Sequence, residues 1–183
     1  RRSSDLHRRI IKVFYQYGGG KLKNFSVGIS GTGSYVPDRV LTNDDLSQMV
    51  DTSHEWIVSR TGIEERRIAP KNIATSDLST KAAKKALEDA HLKAEDIDLI
   101  IGATVTPDYS FPSTACIVQK NIGASKAAAF DINAGCTGFV YAMATGANFI
   151  KAGVYEKVLI IGGETLSRVI NWEDRNTCVL FGD

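Results

Sequence analysis

Ile97-Asp98-Leu99-Ile100-Ile101-Gly102-Ala103-Thr104-Val105 is the stretch on which the fold turns. Its apolar residues barely alternate with polar ones, and isoleucine and valine dominate. That is the pattern of a strand buried on both faces, which in practice means a parallel sheet. The same grammar repeats outward in both directions. Upstream, the spacing predicts a helix capped by Thr75 or Ser76, with Leu78, Ala82, Ala86, Leu87 and Ala90 on one face. Downstream come a helix over 112–122, a strand over 127–132, a helix over 137–152 with Gly153 past its end, a buried strand over 157–161 and a last strand over 177–181. Towards the N-terminus, 25–33 reads as a strand leading to a turn at Pro37. Thr42-Asn43-Asp44-Asp45 and Thr52-Ser53-His54-Glu55 each open a short helix in the manner of a capping box. Gly62 closes the second, and 63–68 reads as extended. Strands and helices alternate, so the expectation is an α/β layered domain with a largely parallel sheet covered on both faces.

Composition agrees with a folded domain. Of 183 residues, 43% are hydrophobic and 23% charged, which excludes bulk disorder. No apolar run approaches the roughly 20 residues a membrane-spanning helix needs. Three cysteines, an odd number, do not form a disulfide framework; they suggest a reducing compartment and leave room for a reactive thiol. The net charge of +1 hides an asymmetry. Arg1, Arg2, Arg8, Arg9, Lys12, Lys21 and Lys23 face Asp5 alone in residues 1–24, a net +6, and the remainder carries −5. The basic end is therefore an appendage, joined through Gly18-Gly19-Gly20. A nucleic-acid arm, the remnant of a targeting peptide and an artefact of the gene start all fit it, and a plain tail is the ordinary reading. No basic-aromatic pattern recurs elsewhere, which argues against nucleic-acid binding.

Chemistry concentrates in Asp131-Ile132-Asn133-Ala134-Gly135-Cys136-Thr137-Gly138-Phe139. A strand ends, small residues crowd the turn, and a cysteine stands where a helix opens. Helix N–H groups and the helix dipole favour a thiolate there and can also hold an oxyanion. This is a suitable seat for a nucleophile that accepts an acyl group. A small buried thiol packed behind a glycine turn fits the local pattern equally well. Cys116, within an apolar helix, and Cys178, within the expected last strand, read as packing residues. The histidines His7, His54 and His91 sit in no recognisable catalytic loop. Gly28, Gly31 and Gly33 only superficially suggest a nucleotide loop. No helix opens at Gly33, and a tight strand exit explains them.

Five motifs in register resemble β-ketoacyl-acyl-carrier-protein synthase III, a condensing enzyme family of the thiolase superfamily. They are Gly31-Thr32-Gly33-Ser34-Tyr35-Val36-Pro37; Asp51-Thr52-Ser53-His54-Glu55-Trp56-Ile57-Val58-Ser59-Arg60-Thr61-Gly62-Ile63; Phe111-Pro112-Ser113; the Cys136 turn; and Phe181-Gly182-Asp183. The resemblance runs from about Val27 to Asp183. It implies a thiolase-like α-β-α-β-α layered fold, of which this chain is mainly the N-terminal half: a leader over 1–24 and a nucleophile-bearing half over 25–183. It implies Cys136 as the nucleophile, with histidine and asparagine partners expected in the absent C-terminal half. Trp56 and Arg175 would sandwich the adenine of coenzyme A (CoA), and Arg60 and Thr52 would lie around its nucleotide. Phe111, reaching across a homodimer, and Leu166 would shape the acyl pocket. Asn133 and Gly135 depart from the family by standing where many members carry alanine, a change read as tolerated.

The implied reaction joins a short acyl-CoA, acetyl-CoA in the first instance, to malonyl-acyl-carrier protein. The CoA thioester is a substrate, and no cofactor or metal is implied. The implied location is cytoplasmic, or a plastid-type organelle if the leader is a transit-peptide remnant; neither nucleic acid nor membrane is a partner. On this reading 1–183 alone could at most be acylated, and the missing half would leave apolar surface uncovered and the chain prone to aggregate. The alternatives are a related enzyme of specialised metabolism, a non-catalytic CoA-binding half, and a cysteine-dependent α/β hydrolase suggested by Ala134-x-Cys136-x-Gly138.

Overall fold

The computed structural model describes residues 26–183; the basic leader and Phe25 lie outside them. The centre is a three-stranded parallel sheet in the order β4-β3-β5, formed by β3 (Leu99–Ala103), β4 (Ala128–Ile132) and β5 (Val158–Gly162). In register, Ile101 stands opposite Phe130 on one side and Ile160 on the other. Every residue of β3 is buried, as its unbroken apolar run required.

Alternate residues of β3 feed two different cores, because successive side chains leave a strand on opposite faces. Ile100 packs with Ala83 and Leu87 of α3 (Thr75–Asp89) and with Ala115 and Val118 of α4 (Thr114–Ile122). Leu99, Ile101 and Ala103 pack on the other face with Ala142 and Phe149 of α5 (Gly138–Lys151). Ile100 and Ile101 are fully buried, a gain of about 1.5–3 kcal/mol for each side chain. The sheet is thus covered on both faces, as expected. α5, however, exposes Phe139, Val140, Tyr141 and Met143.

A second, smaller unit sits beside the sheet. β1 (Val40–Thr42) pairs antiparallel with β2 (Glu65–Arg67), which is where the extended reading of 63–68 is realised. Between them lie α1 (Asn43–Ser47) and α2 (His54–Thr61). The expected capping box is present: the Asp45 amide donates to the Thr42 hydroxyl at 3.1 Å, and the Thr42 amide donates to the Asp45 carboxylate at 2.9 Å. Ser53 caps α2 by accepting from the Trp56 amide at 3.1 Å, and Gly62 ends it in the left-handed region at φ 71. Leu41, Leu46, Ile57 and Ile68 form this unit's core together with Cys178 and Val179 from the far end of the chain.

Four expectations need correction. Residues 26–38 form no strand. The segment lies along α3, held by the Thr32 amide on Asp89 at 2.7 Å and by Lys85 Nζ on the Ser34 carbonyl at 2.8 Å. Gly31 and Gly33 make this approach possible: a Cβ on Gly31 would meet the Ala90 amide nitrogen at 2.5 Å, and one on Gly33 would run into the Ala82 carbonyl and the Ala86 amide. Close approach to a helix, not a strand exit, explains these glycines. Gly33→Ala is expected to cost about 1–3 kcal/mol through overpacking against backbone; urea unfolding measures it, and an unchanged midpoint would refute the account.

The segment 177–181 is likewise not a strand. It follows and overlaps a short helix, α6 (Arg175–Cys178). The Cys178 amide donates to the Asp174 carbonyl and the Leu180 amide to the Thr177 carbonyl, and Arg66 donates to the Val179 carbonyl, so these backbone groups are engaged in turns and not in a ladder. Cys178 is therefore a buried helix residue, and burial raises its thiol pKa. The α3 cap is Ala74, and the Thr75 hydroxyl turns instead to the Thr106 carbonyl at 2.6 Å. Finally, α4 begins at Thr114 and not at Pro112, because Ser113 caps it.

Candidate acyl-transfer site

Cys136 lies beyond the C-terminal end of β4, in a 3-10 turn (Gly135–Thr137) that runs directly into α5. Gly135 has φ 55, a left-handed conformation that lets the chain reverse, and no atom would obstruct a Cβ there, so conformation alone favours glycine. Gly138 packs so close to the strand end that a Cβ would reach Ala103 Cβ at 3.3 Å, and a Cβ on Gly162 would meet the Phe139 ring at 2.9 Å. Small residues thus let the first turn of α5 sit on the ends of β3 and β5. The Cys136 thiol is exposed and makes no hydrogen bond among the described residues. This geometry resolves the choice between an exposed and a buried thiol in favour of the exposed one.

Because all three strands are parallel, the loops after β3, β4 and β5 leave the same edge of the sheet. Cys136 follows β4. Phe111 is in the loop after β3 and is 89% exposed, free to reach another surface. Leu166 opens a 3-10 turn (Leu166–Arg168) after β5 and is half-buried. The two residues expected to shape an acyl pocket and the expected nucleophile therefore come from three neighbouring loops. A cleft of about 300 Å³ opens along the same side, lined by residues that include Thr106, Asp108, Tyr109 and Thr165, and it does not contain Cys136.

The residues expected around CoA form a separate cluster. The Arg60 guanidinium lies 4.3 Å from the centre of the Trp56 ring and the Arg175 guanidinium 4.9 Å from it. Trp56 is half-buried against the Leu41–Val179 core, so one part of the indole is anchored while the rest stays accessible. Arg60 extends from the last turn of α2, and Arg175 from the first of α6, where Nη1 donates to the Asp51 carbonyl at 2.8 Å. The Thr52 hydroxyl oxygen is buried and has no hydrogen-bond partner among the described residues. His54 and His91 are exposed, and neither bonds to Cys136. Among the described residues there is no cluster of metal-ligating side chains, and no helix is long and apolar enough to cross a membrane.

The α6 cap makes this cluster sensitive to acid. The hydrogen bond from the Asn176 backbone, then that from the Thr177 side chain, holds the Asp174 carboxyl below its ordinary value of 3.8. A carboxyl lowered on folding stabilises fully above its unfolded value and loses that contribution as pH falls through the lower folded value. An NMR titration is expected to put the Asp174 midpoint below 3.8; a midpoint at or above it would refute the capping account.

Sequence reasoning overlooked three carboxylates. Glu164 accepts from the amides of Val105 and Thr106 and from the hydroxyls of Thr104 and Thr106. Asp131 accepts from the amides of Thr114 and Ala115 at 2.6 and 2.8 Å. Asp183 accepts from the Ala69 and Ser167 amides. The available signal was a lone acid in or just after an apolar strand run, as Asp131 is within 127–132.

A parallel sheet flanked by helices, with a cysteine on the turn between a strand and the helix that backs the sheet, fits a thiolase-like fold. Solved structures agree. The chain superposes on 3-oxoacyl-(acyl-carrier-protein) synthase III from Aquifex aeolicus VF5 with TM-score 0.82 and 56% identity, covering 84% of this chain and 49% of that one. The corresponding synthase III from Thermus thermophilus gives 0.81 and 51%, covering 86% and 49%. The family model for 3-oxoacyl-acyl-carrier-protein (ACP) synthase III matches residues 130–183, the segment from β4 through Cys136 to the last residue. A curated β-ketoacyl-(acyl-carrier-protein) synthase III from Caldanaerobacter subterraneus subsp. tengcongensis is 65% identical over 161 residues, 88% of this chain and 49% of that protein. The chain is similar to the N-terminal half of β-ketoacyl-acyl-carrier-protein synthase III enzymes. It spans about half the length of the curated relatives it matches.

Proposed function

We propose that this chain supplies the nucleophile and the CoA platform of an initiating condensing enzyme of type II fatty-acid synthesis. The observation that carries the reading is the exposed Cys136 thiol at the mouth of α5. The thiol gives up its proton, its sulfur attacks the thioester carbonyl of a short acyl-CoA, and the tetrahedral oxyanion collapses by breaking the bond to the CoA sulfur; CoA leaves and takes up a proton, and the acyl group stays on Cys136. Amide groups at the head of α5 are suited to the oxyanion, since they carry the positive end of the helix dipole. Malonyl-acyl-carrier protein then loses carbon dioxide, and its carbanion attacks the acyl-cysteine carbonyl and expels the Cys136 thiolate, giving a 3-oxoacyl-acyl-carrier protein and the free cysteine. The histidine and asparagine that assist this second step belong to the C-terminal half of the family's fold.

CoA enters as a substrate, and no further cofactor is required. Its adenine stacks on Trp56 beneath Arg175. Two stacking distances come to about 7 Å, whereas Arg175 stands 4.9 Å from the ring centre. Arg175 therefore withdraws by roughly 2 Å when a base is inserted. Arg60 meets phosphate, and the unpaired Thr52 hydroxyl gains a partner. In a homodimer Phe111 reaches into the neighbouring acyl pocket, which its exposure permits. The location is cytoplasmic, and the division into a leader over 1–24 and a nucleophile-bearing half over 25–183 stands with this reading.

Intact-mass measurement after incubation with acetyl-CoA tests the proposal. An acetyl adduct that maps to Cys136 supports it. Tight CoA binding without any adduct supports a non-catalytic CoA-binding half instead.

A further inference from the structure

The loop after β3 is clamped at both ends by carboxylates that take no part in the acyl-transfer chemistry. At its start, Glu164 accepts from the amides of Val105 and Thr106 and from the hydroxyls of Thr104 and Thr106, so three consecutive residues are held by one side chain. The grip is reinforced from behind, because the Thr165 amide donates to the Thr106 hydroxyl at 2.8 Å and the Thr75 hydroxyl donates to the Thr106 carbonyl at 2.6 Å. At the loop's end, Asp131 holds the amides of Thr114 and Ala115, the first residues of α4. Gly102 leaves room for it: a Cβ there would meet the Asp131 carboxylate at 2.6 Å.

The positions of these two acids along the chain matter. Glu164 stands two residues before Leu166, and Asp131 five residues before Cys136. Phe111 lies on the clamped segment between them. The Phe111 loop is thus tied, through two carboxylates, to the segments that lead to Leu166 and Cys136. Charge-assisted hydrogen bonds to backbone amides are shorter and about twice as strong as neutral ones, and they fix a loop with little side-chain entropy left to lose.

We propose that Glu164 and Asp131 are positioning residues for acyl-chain length preference: they fix the Phe111 loop on the ends of β3, β4 and β5, and with it the place from which Phe111 enters the acyl pocket of a second copy of the chain. This rests on the proposed acyl transfer to Cys136. Replacing Glu164 by glutamine keeps one acceptor oxygen but removes the charge and turns the second oxygen into a donor that faces amides. The loop start then loosens, while every core side chain stays in place.

The test measures Cys136 acylation rates on the full chain with acetyl-, butyryl- and hexanoyl-CoA, for wild type, Glu164→Gln, Asp131→Asn and Thr106→Val. Leu87→Ala is the control, because it lowers stability in the α3 core without touching the loop. The expected result is a change of at least about fivefold in the ratio of acetyl to hexanoyl rates in the three loop variants, with no change of ratio in Leu87→Ala. Amide hydrogen exchange at Val105 and Thr106 is expected to speed up in Glu164→Gln. Wild-type ratios in Glu164→Gln and Asp131→Asn, or an equal shift in Leu87→Ala, would overturn the positioning role and leave acyl transfer standing. A wild-type chain that accepts no acyl group from any of the three thioesters would overturn the acyl-transfer reading, and the positioning role with it.

Discussion

Cys136→Ala is expected to abolish acyl transfer from acetyl-CoA, a loss of about ten-thousandfold or more, while the chain keeps its fold and its affinity for CoA. Removing a nucleophile from a covalent mechanism eliminates the route itself, so the effect is of the size seen when catalytic nucleophiles are deleted. Folding should tolerate the change because the thiol is exposed and makes no hydrogen bond among the described residues. Intact-mass spectrometry reads the adduct and circular dichroism the fold. An acetyl adduct that persists in Cys136→Ala would move the nucleophile to Cys116, the half-buried thiol, since Cys178 is buried and its pKa raised.

Trp56→Ala is the second large effect. It is expected to weaken CoA binding by about ten- to a hundredfold, the 1–3 kcal/mol that one base–aromatic stack is worth. Two consequences separate stacking from general damage. Trp56→Phe should recover most of the affinity, because a smaller ring still offers a flat face. Dephospho-CoA should lose as much affinity as CoA, because the adenine is common to both. The Arg175→Ala change should cost less alone than Trp56→Ala and should not add fully to it, since both act on one stacked arrangement. Isothermal titration with CoA measures all of these, and an additive double variant would argue against a shared stack.

The parallel sheet was legible in the sequence because its central strand is buried on both sides, and an apolar run such as 99–103 fits poorly anywhere but in a strand covered on both faces. The Thr42 capping box was legible because a Thr followed three residues later by an acid has a local cause, whereas the second was misplaced by one residue: Ser53 caps α2, and the Thr52 hydroxyl has no partner among the described residues. The failures were tertiary. Gly31 and Gly33 look like turn residues in isolation, yet they serve a close contact with α3, which is more than forty positions away in the chain. Residues 177–181 have strand-like composition, but the Cys178 and Leu180 amides are bonded within the local turn and Arg66 takes the Val179 carbonyl. Cys136 could be singled out by its small neighbours, although only the backbone of the turn decides that its thiol is exposed. The Trp56–Arg60–Arg175 cluster depends on α6 meeting α2, and neither spacing nor periodicity foretells that meeting. Glu164 and Asp131 escaped notice because an acid beside a strand is common and its partners are backbone amides, which carry no sequence signal.

Arg66 carries a consequence for how the protein is made. Its guanidinium donates to the Asn43 side chain at 2.9 Å, to the Leu41 carbonyl at 3.3 Å and to the Val179 carbonyl at 3.0 Å, the last across 113 positions of sequence. Cys178 and Val179 also complete the apolar core around Ile57. On the ribosome, the segment bearing Trp56 therefore emerges long before its last supports do. The three-stranded sheet, whose contacts are nearer in sequence, can assemble while that first segment still waits, since long loop closures come late and slowly. Chain order and folding order are then inverted: the segment bearing Trp56, synthesised early, gains its last supports only after Cys178 and Val179 have joined it.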